Sequence, residues 1–289
     1  MFIALVQAVT DGILIGGVYG VIAVGLSLVF GVLGIINFAQ AEFMMIGMYT
    51  AYFAWAYLGL DPVLGALLAL AAGFAIGYLT QRLLVQRVMG ASPLAQIFLT
   101  VGLLAVMENA ALMIFGPDFR SVRTEAQMIS YRAGPIFISA PNAHAFVAAL
   151  VASVLLWLFL ARTWTGRAIR ATAQNETAAR LFGINTTRIY AVAFGLGTAL
   201  TAFGGGVILS NTPAYPTVGA QYVVLMFTVV VLGGLGNVLG ALIGGVIVGV
   251  VQSTSTLIMP IQLQNLALFT IFIAVLTFRP QGLLGRIAR

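Results

Sequence analysis

The most constraining feature of this chain is the length of its uncharged apolar stretches. Between Arg188 and Arg279 the sequence contains no Asp, Glu, Lys or Arg. Of all 289 residues, 61% are hydrophobic and 7% are charged, whereas a soluble domain carries roughly 25% charged residues. So few charges cannot cover the surface of a water-soluble globule, which argues against a soluble enzyme, a nucleic-acid-binding protein and a disordered chain. The sequence therefore predicts a protein that crosses a membrane several times.

The apolar runs are continuous and long enough to form membrane-spanning helices. A transmembrane barrel would instead show short strands of alternating polarity. We therefore predict an all-α transmembrane bundle of about eight to nine spans, built as a single domain over residues 1–289. The nine candidate spans are 11–33, 38–58, 63–84, 92–115, 142–161, 189–210, 218–235, 237–258 and 262–278. The first ten residues lack the basic segment that begins a cleaved signal peptide.

The basic residues are distributed unevenly over the ends of these spans. All 13 are arginines, and an excess of Arg and Lys marks cytoplasmic loops. Nine spans place most of them on one side, namely Arg82, Arg87, Arg162, Arg167, Arg170, Arg180, Arg188, Arg279, Arg286 and Arg289. The other three, Arg120, Arg123 and Arg132, fall in the loop 116–141 on the opposite side. We therefore predict a cytoplasmic loop at 162–188, an external loop at 116–141, a cytoplasmic C-terminus and an external N-terminus.

The stretch 162–188 contains a short helix with both of its ends specified by sequence. Asn175 can accept a hydrogen bond from an unpaired backbone amide of the first turn. Glu176 lies at the positive end of the helix dipole and four residues before Arg180. Gly183 can adopt the left-handed conformation that ends a helix. Two interpretations follow, a docking helix for a partner protein that does chemical work and an interfacial helix against lipid headgroups.

Five segments in chain order match the pattern of one protein family. They are Gly31–Glu42, Gly166–Ala171, Ala179–Asn185, Val231–Gly245 and Arg279–Gly285. Together they resemble the permeases of branched-chain amino acid ABC importers, and the chain looks like the shorter of the two paired permeases. Thr177–Gly183 is similar to the Glu-Ala-Ala-x-x-x-Gly loop of ABC importer permeases, with Thr177 at the Glu position. One departure is Gln40-Ala41, where family members often carry His-Gly.

The resemblance implies a transport subunit, not an enzyme, in the bacterial inner membrane. It would move branched-chain or other hydrophobic amino acids together with a second permease in a heterodimer, two ATP-binding subunits and a periplasmic substrate-binding protein. The external loop 116–141 would then be periplasmic. The residues implied in coupling to the ATP-binding subunits are Arg167, Arg170, Asn175, Glu176, Thr177, Ala178, Ala179, Arg180, Leu181, Phe182 and Gly183.

The composition agrees with ATP and Mg being bound on partner subunits and with no cofactor on this chain. A P-loop requires a Lys, and the sequence contains none. The chain has one His and no Cys, which gives little support to a zinc site.

Several polar residues lie inside the predicted spans. An acidic residue at membrane depth usually faces a cavity or a partner, although a structural hydrogen bond or helix packing are alternatives. The candidates for the transport pathway or its gate are Asn37, Gln40, Glu42, Glu108, Asn109 and Gln252. Gly204–Gly206 predicts a break or flexing point in the sixth span, because consecutive glycines weaken a helix. The alternative for these glycines is tight packing against a bulky neighbour.

The external loop offers a docking surface for the binding protein, with Arg120, Arg123 and Arg132 as candidate contacts. A merely solvated loop is the alternative. Two further functional classes compete with the importer, namely a stand-alone secondary transporter or channel for a small polar solute such as urea or an amide, and a membrane scaffold. A secondary transporter is expected to carry charged or ion-coordinating residues along its pathway. The near absence of acids in the middle of the spans favours the importer.

Overall fold

A computed structural model describes residues 1–260, 263–279 and 281–285, and two of the predicted cytoplasmic arginines, Arg286 and Arg289, lie outside them. The described part of the chain is predominantly helical. The helices are α1 (Phe2–Leu33), α2 (Gln40–Leu58), α3 (Pro62–Thr80), α4 (Gln86–Val88), α5 (Pro93–Phe115), α6 (Ala140–Arg162), α7 (Trp164–Gln174), α8 (Glu176–Leu181), α9 (Thr186–Ile208), α10 (Val218–Gly233), α11 (Val238–Ser255) and α12 (Gln264–Phe278).

Each of the nine predicted spans coincides with a helix in the described residues, which confirms the polytopic helical bundle. Six helical segments are long and apolar enough to cross a membrane, and α10 and α12 are shorter apolar helices. Two boundaries differ from prediction. Helix α1 begins at Phe2 and includes Asp11, whose carboxylate accepts a hydrogen bond from the side-chain amide of Gln7 at 2.9 Å. The third span continues through a π-helical turn, Gln81–Val85, into α4.

One end of the bundle is closed by a β-hairpin that the sequence analysis did not anticipate. Strands β1 (Ser130–Ala133) and β2 (Ile136–Ser139) pair antiparallel, with Ser130 opposite Ser139. The amide of Gln7 bonds to both the backbone N–H and the carbonyl of Phe137, at 2.9 and 2.7 Å. The start of α1, the loop 116–139 and the loop 209–217 therefore meet at this end, which we call the hairpin end.

The opposite end contains the remaining alternate loops and most of the described arginines. A Cβ on Gly31, near the end of α1, would come within 2.9 Å of the Gly236 Cα in the α10–α11 turn. The chain after α12 returns to the same turn, where the N–H of Leu283 donates to the carbonyl of Leu232 at 2.7 Å. We call this the arginine-rich end. The loops thus alternate between the two ends as the span order requires.

Helices α1 and α9 form the centre of the bundle, and nearly all residues of α9 are buried. Helix α9 is continuous through Gly204–Gly206, so the predicted break in this span is wrong. Added Cβ atoms would overlap Ile22 of α1 at Gly204 and the Met44 backbone of α2 at Gly205, and would approach Ala66 of α3 within 2.8 Å at Gly206. The three glycines therefore allow three helices to approach one segment of α9 closely.

This packing predicts opposite outcomes for two glycine substitutions. A Cβ on Gly47 of α2 would overlap the carbonyl oxygen of Ala202, whereas a Cβ on Gly102 of α5 would meet nothing within 4 Å. Helix propensity favours Ala over Gly by roughly 1 kcal/mol, so at both sites this contribution alone would stabilise the folded protein. We expect Gly47→Ala to lower the thermal unfolding midpoint in detergent, because overpacking costs about 1–3 kcal/mol, and Gly102→Ala to keep or raise it. A Gly47→Ala variant as stable as wild type would contradict the close helix contact.

Candidate functional site

Helix α8 is a short surface helix at the arginine-rich end, and both of its caps are formed. The Oδ1 atom of Asn175 accepts a hydrogen bond from the backbone N–H of Ala178 at 2.9 Å. Gly183 has a φ of 79°, and the N–H groups of Gly183 and Ile184 donate to the carbonyls of Arg180 and Ala179, both at 3.0 Å. This pair of bonds is the Schellman motif that ends a helix. The predicted capped helix is therefore confirmed as a structural element.

The tip of α8 is apolar and fully accessible. Leu181 is 84% exposed and Phe182 is 87% exposed, whereas Ala179 packs against the body of the protein. The guanidinium of Arg180 bonds to the carboxylate of Glu176 and, through Nε, to the hydroxyl of Thr186 at 2.9 Å. The bond from Arg180 to Thr186 and the buried Ala179 attach α8 to the start of α9, and its tip projects away from the bundle.

A second helix at this end, α7, was missed by the sequence analysis. The hydroxyl of Thr163 accepts a hydrogen bond from the N–H of Gly166 at 3.0 Å and so caps its first turn. Thr163 directly before an apolar-periodic stretch was the signal available in the sequence. The side chains of Arg167 and Arg170 are exposed on α7. Arg167 lines a groove with Phe182 of the α8 tip, whereas Arg170 lies near Gly31 and the α10–α11 turn.

Two of the pathway candidates form a hydrogen-bonded network at membrane depth. The amide of Asn37 donates to Gln40 at 2.8 Å, and Gln40 donates to the hydroxyl of Thr201 in α9 at 2.7 Å and to the Gly197 carbonyl at 3.3 Å. Gly197 lies roughly 16 Å along α9 from its first residue, so α2 begins deep inside the bundle. Asn37 and Gln40 therefore attach the turn before α2 to the middle of α9.

Glu42 lies in the first turn of α2, next to this network. Its side chain is 1% exposed, and its Oε2 atom accepts no hydrogen bond from the residues that the structure describes. A Cβ on Gly219, in the first turn of α10, would overlap the Glu42 carboxylate. The carboxylate therefore lies against the N-terminal turns of two helices, where the helix dipoles favour negative charge.

Glu108 lies on α5, a helix that the rest of the chain hardly covers. Helix α5 buries only Thr100 and Ala111 among its described residues. The hydroxyl of Thr100 bonds to the carbonyl of Ile36 at 3.2 Å, which sets α5 in register with the start of α2. The Thr100–Ile36 bond and the Tyr49–Phe115 contact lie on either side of Glu42 and Glu108, so the two residues are at a similar height on neighbouring helices. Asn109 turns its amide back to the carbonyl of Ala105 in its own helix, at 2.8 Å.

An aromatic layer lies on the hairpin side of these carboxylates. Tyr49 follows Glu42 by seven residues on α2, as Phe115 follows Glu108 on α5, and their ring centroids are 4.2 Å apart. Phe53 completes the layer, 5.4 Å from Phe115. The Tyr49 hydroxyl is buried and has no hydrogen-bond partner among the described residues. The layer thus closes the α2–α5 contact toward the hairpin end.

The three arginines of the loop 116–141 have different environments, so the structure does not bring them together. The Arg120 guanidinium lies 5.7 Å from the ring centre of Tyr52 and donates to the carbonyl of Phe115 at 3.0 Å, which places it over the aromatic layer. Arg132 belongs to the hairpin and bonds to the carbonyl of Gly134 at 3.1 Å. Arg123 is exposed.

Gln252 lies elsewhere, on the wall of a separate cavity of about 500 Å³ between α10, α11 and α12. Tyr19, Gln221 and Tyr222 also line this cavity and give it a partly polar surface.

Comparison with known proteins decides the family. The family model described as the branched-chain amino acid transport system / permease component matches residues 8–276. The chain belongs to this permease family. It is 32% identical to the high-affinity branched-chain amino acid transport system permease protein BraD of Pseudomonas aeruginosa, over 97% of this chain and 95% of BraD. It is 30% identical to LivH of Escherichia coli, which carries the same description, over 99% of this chain and 97% of LivH.

Among solved structures, this permease is similar to PsaBC from Streptococcus pneumoniae in complex with Fab. The TM-score is 0.50 and the sequence identity is 13%, with 94% of this chain and 92% of that chain covered. At this identity the likeness supports the permease fold and nothing finer. Family membership identifies the chain as a transport subunit and not as an enzyme, as the resemblance of its five segments implied.

The cap of α8 can be tested directly in the permease. Asn175→Ala removes the acceptor for the Ala178 N–H, which costs about 1 kcal/mol, so the first turn of α8 should open more often. We expect backbone amides of residues 176–183 to exchange with deuterium roughly fivefold faster, as that energy predicts, with unchanged exchange in α9. Asn175→Asp keeps the acceptor and serves as the matched control. Equal exchange in Asn175→Ala and wild type would show that the cap does not hold this helix.

Proposed function

We propose that this protein is a membrane-spanning permease subunit of an ATP-driven importer for branched-chain or other hydrophobic amino acids in the bacterial inner membrane. Membership in the permease family and the descriptions of BraD and LivH support this substrate class. ATP and Mg would be bound by separate subunits, since a chain without Lys cannot supply a P-loop lysine.

Helix α8 is the observation that carries the proposal. Leu181 and Phe182 project from a doubly capped helix into the space beyond the bundle, at the end that holds most of the arginines. Two exposed apolar side chains at the end of a capped helix could insert into a groove of an ATP-binding subunit. The exposed Arg167 and Arg170 of α7 would contact the same subunit. Movement of that subunit during the ATP cycle would then be transmitted through α8 to α9.

The exposed helix α5 supports a second permease subunit in the assembly. An acidic side chain that faces lipid at the centre of a helix costs about 2.5–3.5 kcal/mol, and Glu108 is only partly covered by its own chain. A second permease that packs over α5 would remove this cost and enclose a pathway between the two subunits. In this arrangement α2, α5 and α10 face the pathway, with Glu42, Glu108 and Asn109 among its polar residues.

The hairpin end is the proposed docking surface for a periplasmic binding protein. Arg123 and Arg132 are exposed there, and Arg132 lies on strand β1 of the hairpin. Arg120 would contact the substrate only after the binding protein has docked, because it lies over the aromatic layer that closes the α2–α5 contact. Gln252 and its cavity would form a second polar surface along the route.

The function is tested by uptake into proteoliposomes. The protein is reconstituted with the second permease, the ATP-binding subunits and the binding protein encoded beside it, and radiolabelled leucine uptake is measured with and without ATP. We expect uptake only when ATP, the ATP-binding subunits and the binding protein are all present. Uptake of urea or of leucine by this chain alone would instead establish a stand-alone transporter or channel.

Charging the tip of α8 should uncouple transport. In Leu181→Asp/Phe182→Asp the apolar contact with the ATP-binding subunit is replaced by two solvated carboxylates, so we expect leucine uptake to fall at least tenfold, as for loss of about 1.4 kcal/mol or more of interface energy. Leu181→Met/Phe182→Leu, which keeps apolar side chains at the same two exposed positions, is the control and should retain uptake. The proposed coupling role would be contradicted if the double variant took up leucine as wild type does and still co-purified with the ATP-binding subunits.

The orientation of the chain can be tested because the natural sequence contains no Cys. Single cysteines are introduced at Met128 and at Phe182, which lie at opposite ends of the bundle and are 92% and 87% exposed. In intact cells with a permeable outer membrane, an impermeant maleimide should label Met128→Cys at once and Phe182→Cys only after lysis. The reverse pattern would place the arginine-rich end outside, against the positive-inside distribution.

A further inference from the structure

The cavity that Gln252 lines lies between helices α1, α10, α11 and α12 and extends deep into the bundle. Its volume of about 500 Å³ falls within the range of roughly 300–1,000 Å³ that is typical of small-molecule sites. Tyr19, on the α1 wall, lies about 25 Å along that helix from Phe2, and α1 is 32 residues long. The cavity therefore reaches the middle of a helix that crosses the membrane.

Two glutamine side chains from neighbouring helices meet at this cavity. A Cβ on Gly244 of α11 would lie 2.6 Å from the carbonyl oxygen of Val229 in α10. Gln252 follows Gly244 in the chain by the same number of residues as Gln221 precedes Val229. Because α10 and α11 run antiparallel, this register places the two glutamines at a similar height, and both line the cavity.

Two tyrosines add to the polar part of the lining. The rings of Tyr19 and Tyr222 pack edge to face with their centroids 6.3 Å apart, and both residues line the cavity. The remaining lining is apolar and includes Leu225, Leu268 and Phe269. Among the described residues, the lining contains no Asp, Glu, Arg or His. The cavity therefore combines uncharged hydrogen-bonding groups with an apolar surface.

Gln252 differs from the polar residues that follow it on α11. The hydroxyl of Thr254 donates to the carbonyl of Val250 at 2.7 Å, and that of Ser255 donates to the carbonyl of Val251 at 2.6 Å, so both are satisfied within the helix. The Gln252 amide forms no hydrogen bond with the residues that the structure describes, and its side chain is partly accessible from the cavity. An amide in apolar surroundings without a hydrogen bond is unfavourable, which indicates that this amide meets a polar group inside the cavity.

The chemistry of the lining indicates the kind of ligand. A solute with a net charge would find no opposite charge here, and burying an unpaired charge is costly. A zwitterion has no net charge, and its two ionic groups need one set of donors and one set of acceptors. A glutamine amide supplies both, and so does a tyrosine hydroxyl.

We infer that this cavity is a binding site for a net-neutral amino acid in transit. The zwitterionic end binds to the amides of Gln221 and Gln252 and to the tyrosine hydroxyls, and the apolar side chain packs against Leu225 and Leu268. The inference rests on the proposed function and adds to it the residues that contact the substrate. It also adds a preference for amino acids without net charge over cationic and anionic ones.

Binding is tested by protection of a single cysteine in the complete reconstituted complex. Val224→Cys places a thiol on the cavity wall, at a position that is 38% exposed, in a chain without natural Cys. We expect leucine, in excess over the binding protein, to slow modification by a small methanethiosulfonate reagent, about twofold when half of the sites are filled. The analogues 3-methylbutylamine and 4-methylpentanoate keep the side chain but carry a net charge, and should not protect. Met128→Cys at the hairpin end is the control and should react equally with and without leucine.

The contribution of Gln252 is tested by Gln252→Leu, which removes the amide. We expect leucine uptake to fall about tenfold, the size expected for loss of a hydrogen bond to a charged group. The leucine concentration that gives half protection of Val224→Cys should rise by the same factor in the double variant. Thr254→Val is the matched control, because Thr254 lies on the same helix but does not line the cavity. It should retain uptake and protection.

The outcomes separate the binding site from the fold and from the proposed function. Elution profile and unfolding midpoint show whether Gln252→Leu is folded, and if it is not, protection of Val224→Cys decides alone. Modification of Val224→Cys at the same rate with and without leucine would overturn the inference, and so would equal protection by the charged analogues. A wild-type complex that takes up no leucine would overturn the proposed function instead.

Discussion

The close backbone contact between α1 and α9 is the interaction on which the rest of this permease depends. A Cβ on Gly25 would overlap the carbonyl of Gly197, so the two helices can cross at this distance only with glycine at the contact. The same crossing brings the hydroxyl of Thr201 to the carbonyl of Ile22 at 3.1 Å and leaves it available to Gln40 at 2.7 Å. Because Gln40 is the first residue of α2, this contact fixes the depth at which α2 begins. The position of Glu42 follows from it.

This arrangement explains why glycines and short polar side chains are concentrated in a chain with so few charges. Between helices in lipid there is little hydrophobic driving force, so association depends on van der Waals contact and on hydrogen bonds between helices. Glycine provides the first by allowing close approach, and Asn37, Gln40 and Thr201 provide the second at one level of the bundle. Bulky charged side chains would prevent this close contact between helices. They are therefore found at the ends of the helices and on α2 and α5.

The sequence determines the spans well because membrane helices are long and strongly apolar. It also predicts the caps of α8, since Asn175 and Gly183 act through bonds within one turn. It fails where the outcome depends on distant partners. Gly204–Gly206 is read as a break from local propensity, but Ile22, Met44 and Ala66 come from three other helices and stabilise the continuous form. The similar height of Glu42 and Glu108 is equally invisible, because it depends on the contact between Thr100 of α5 and Ile36 before α2.

The unsatisfied surfaces of the isolated chain form a pattern that supports a multi-subunit assembly. Leu181 and Phe182 are apolar side chains exposed at an end rich in arginine, whereas Glu42 and Glu108 are acidic side chains within the apolar bundle. The exposed apolar pair is unfavourable in water, and the acidic pair is unfavourable inside an apolar bundle. A groove on a partner subunit would cover the first pair, and a second permease packed over α5 would cover Glu108. Both groups connect to α9, the first through Arg180 and Thr186 and the second through Gln40 and Thr201. A bound partner that displaces α8 would therefore also displace α9, which is one continuous helix. Through Thr201 and Gln40 this movement would reach the turn before α2 and change the position of Glu42.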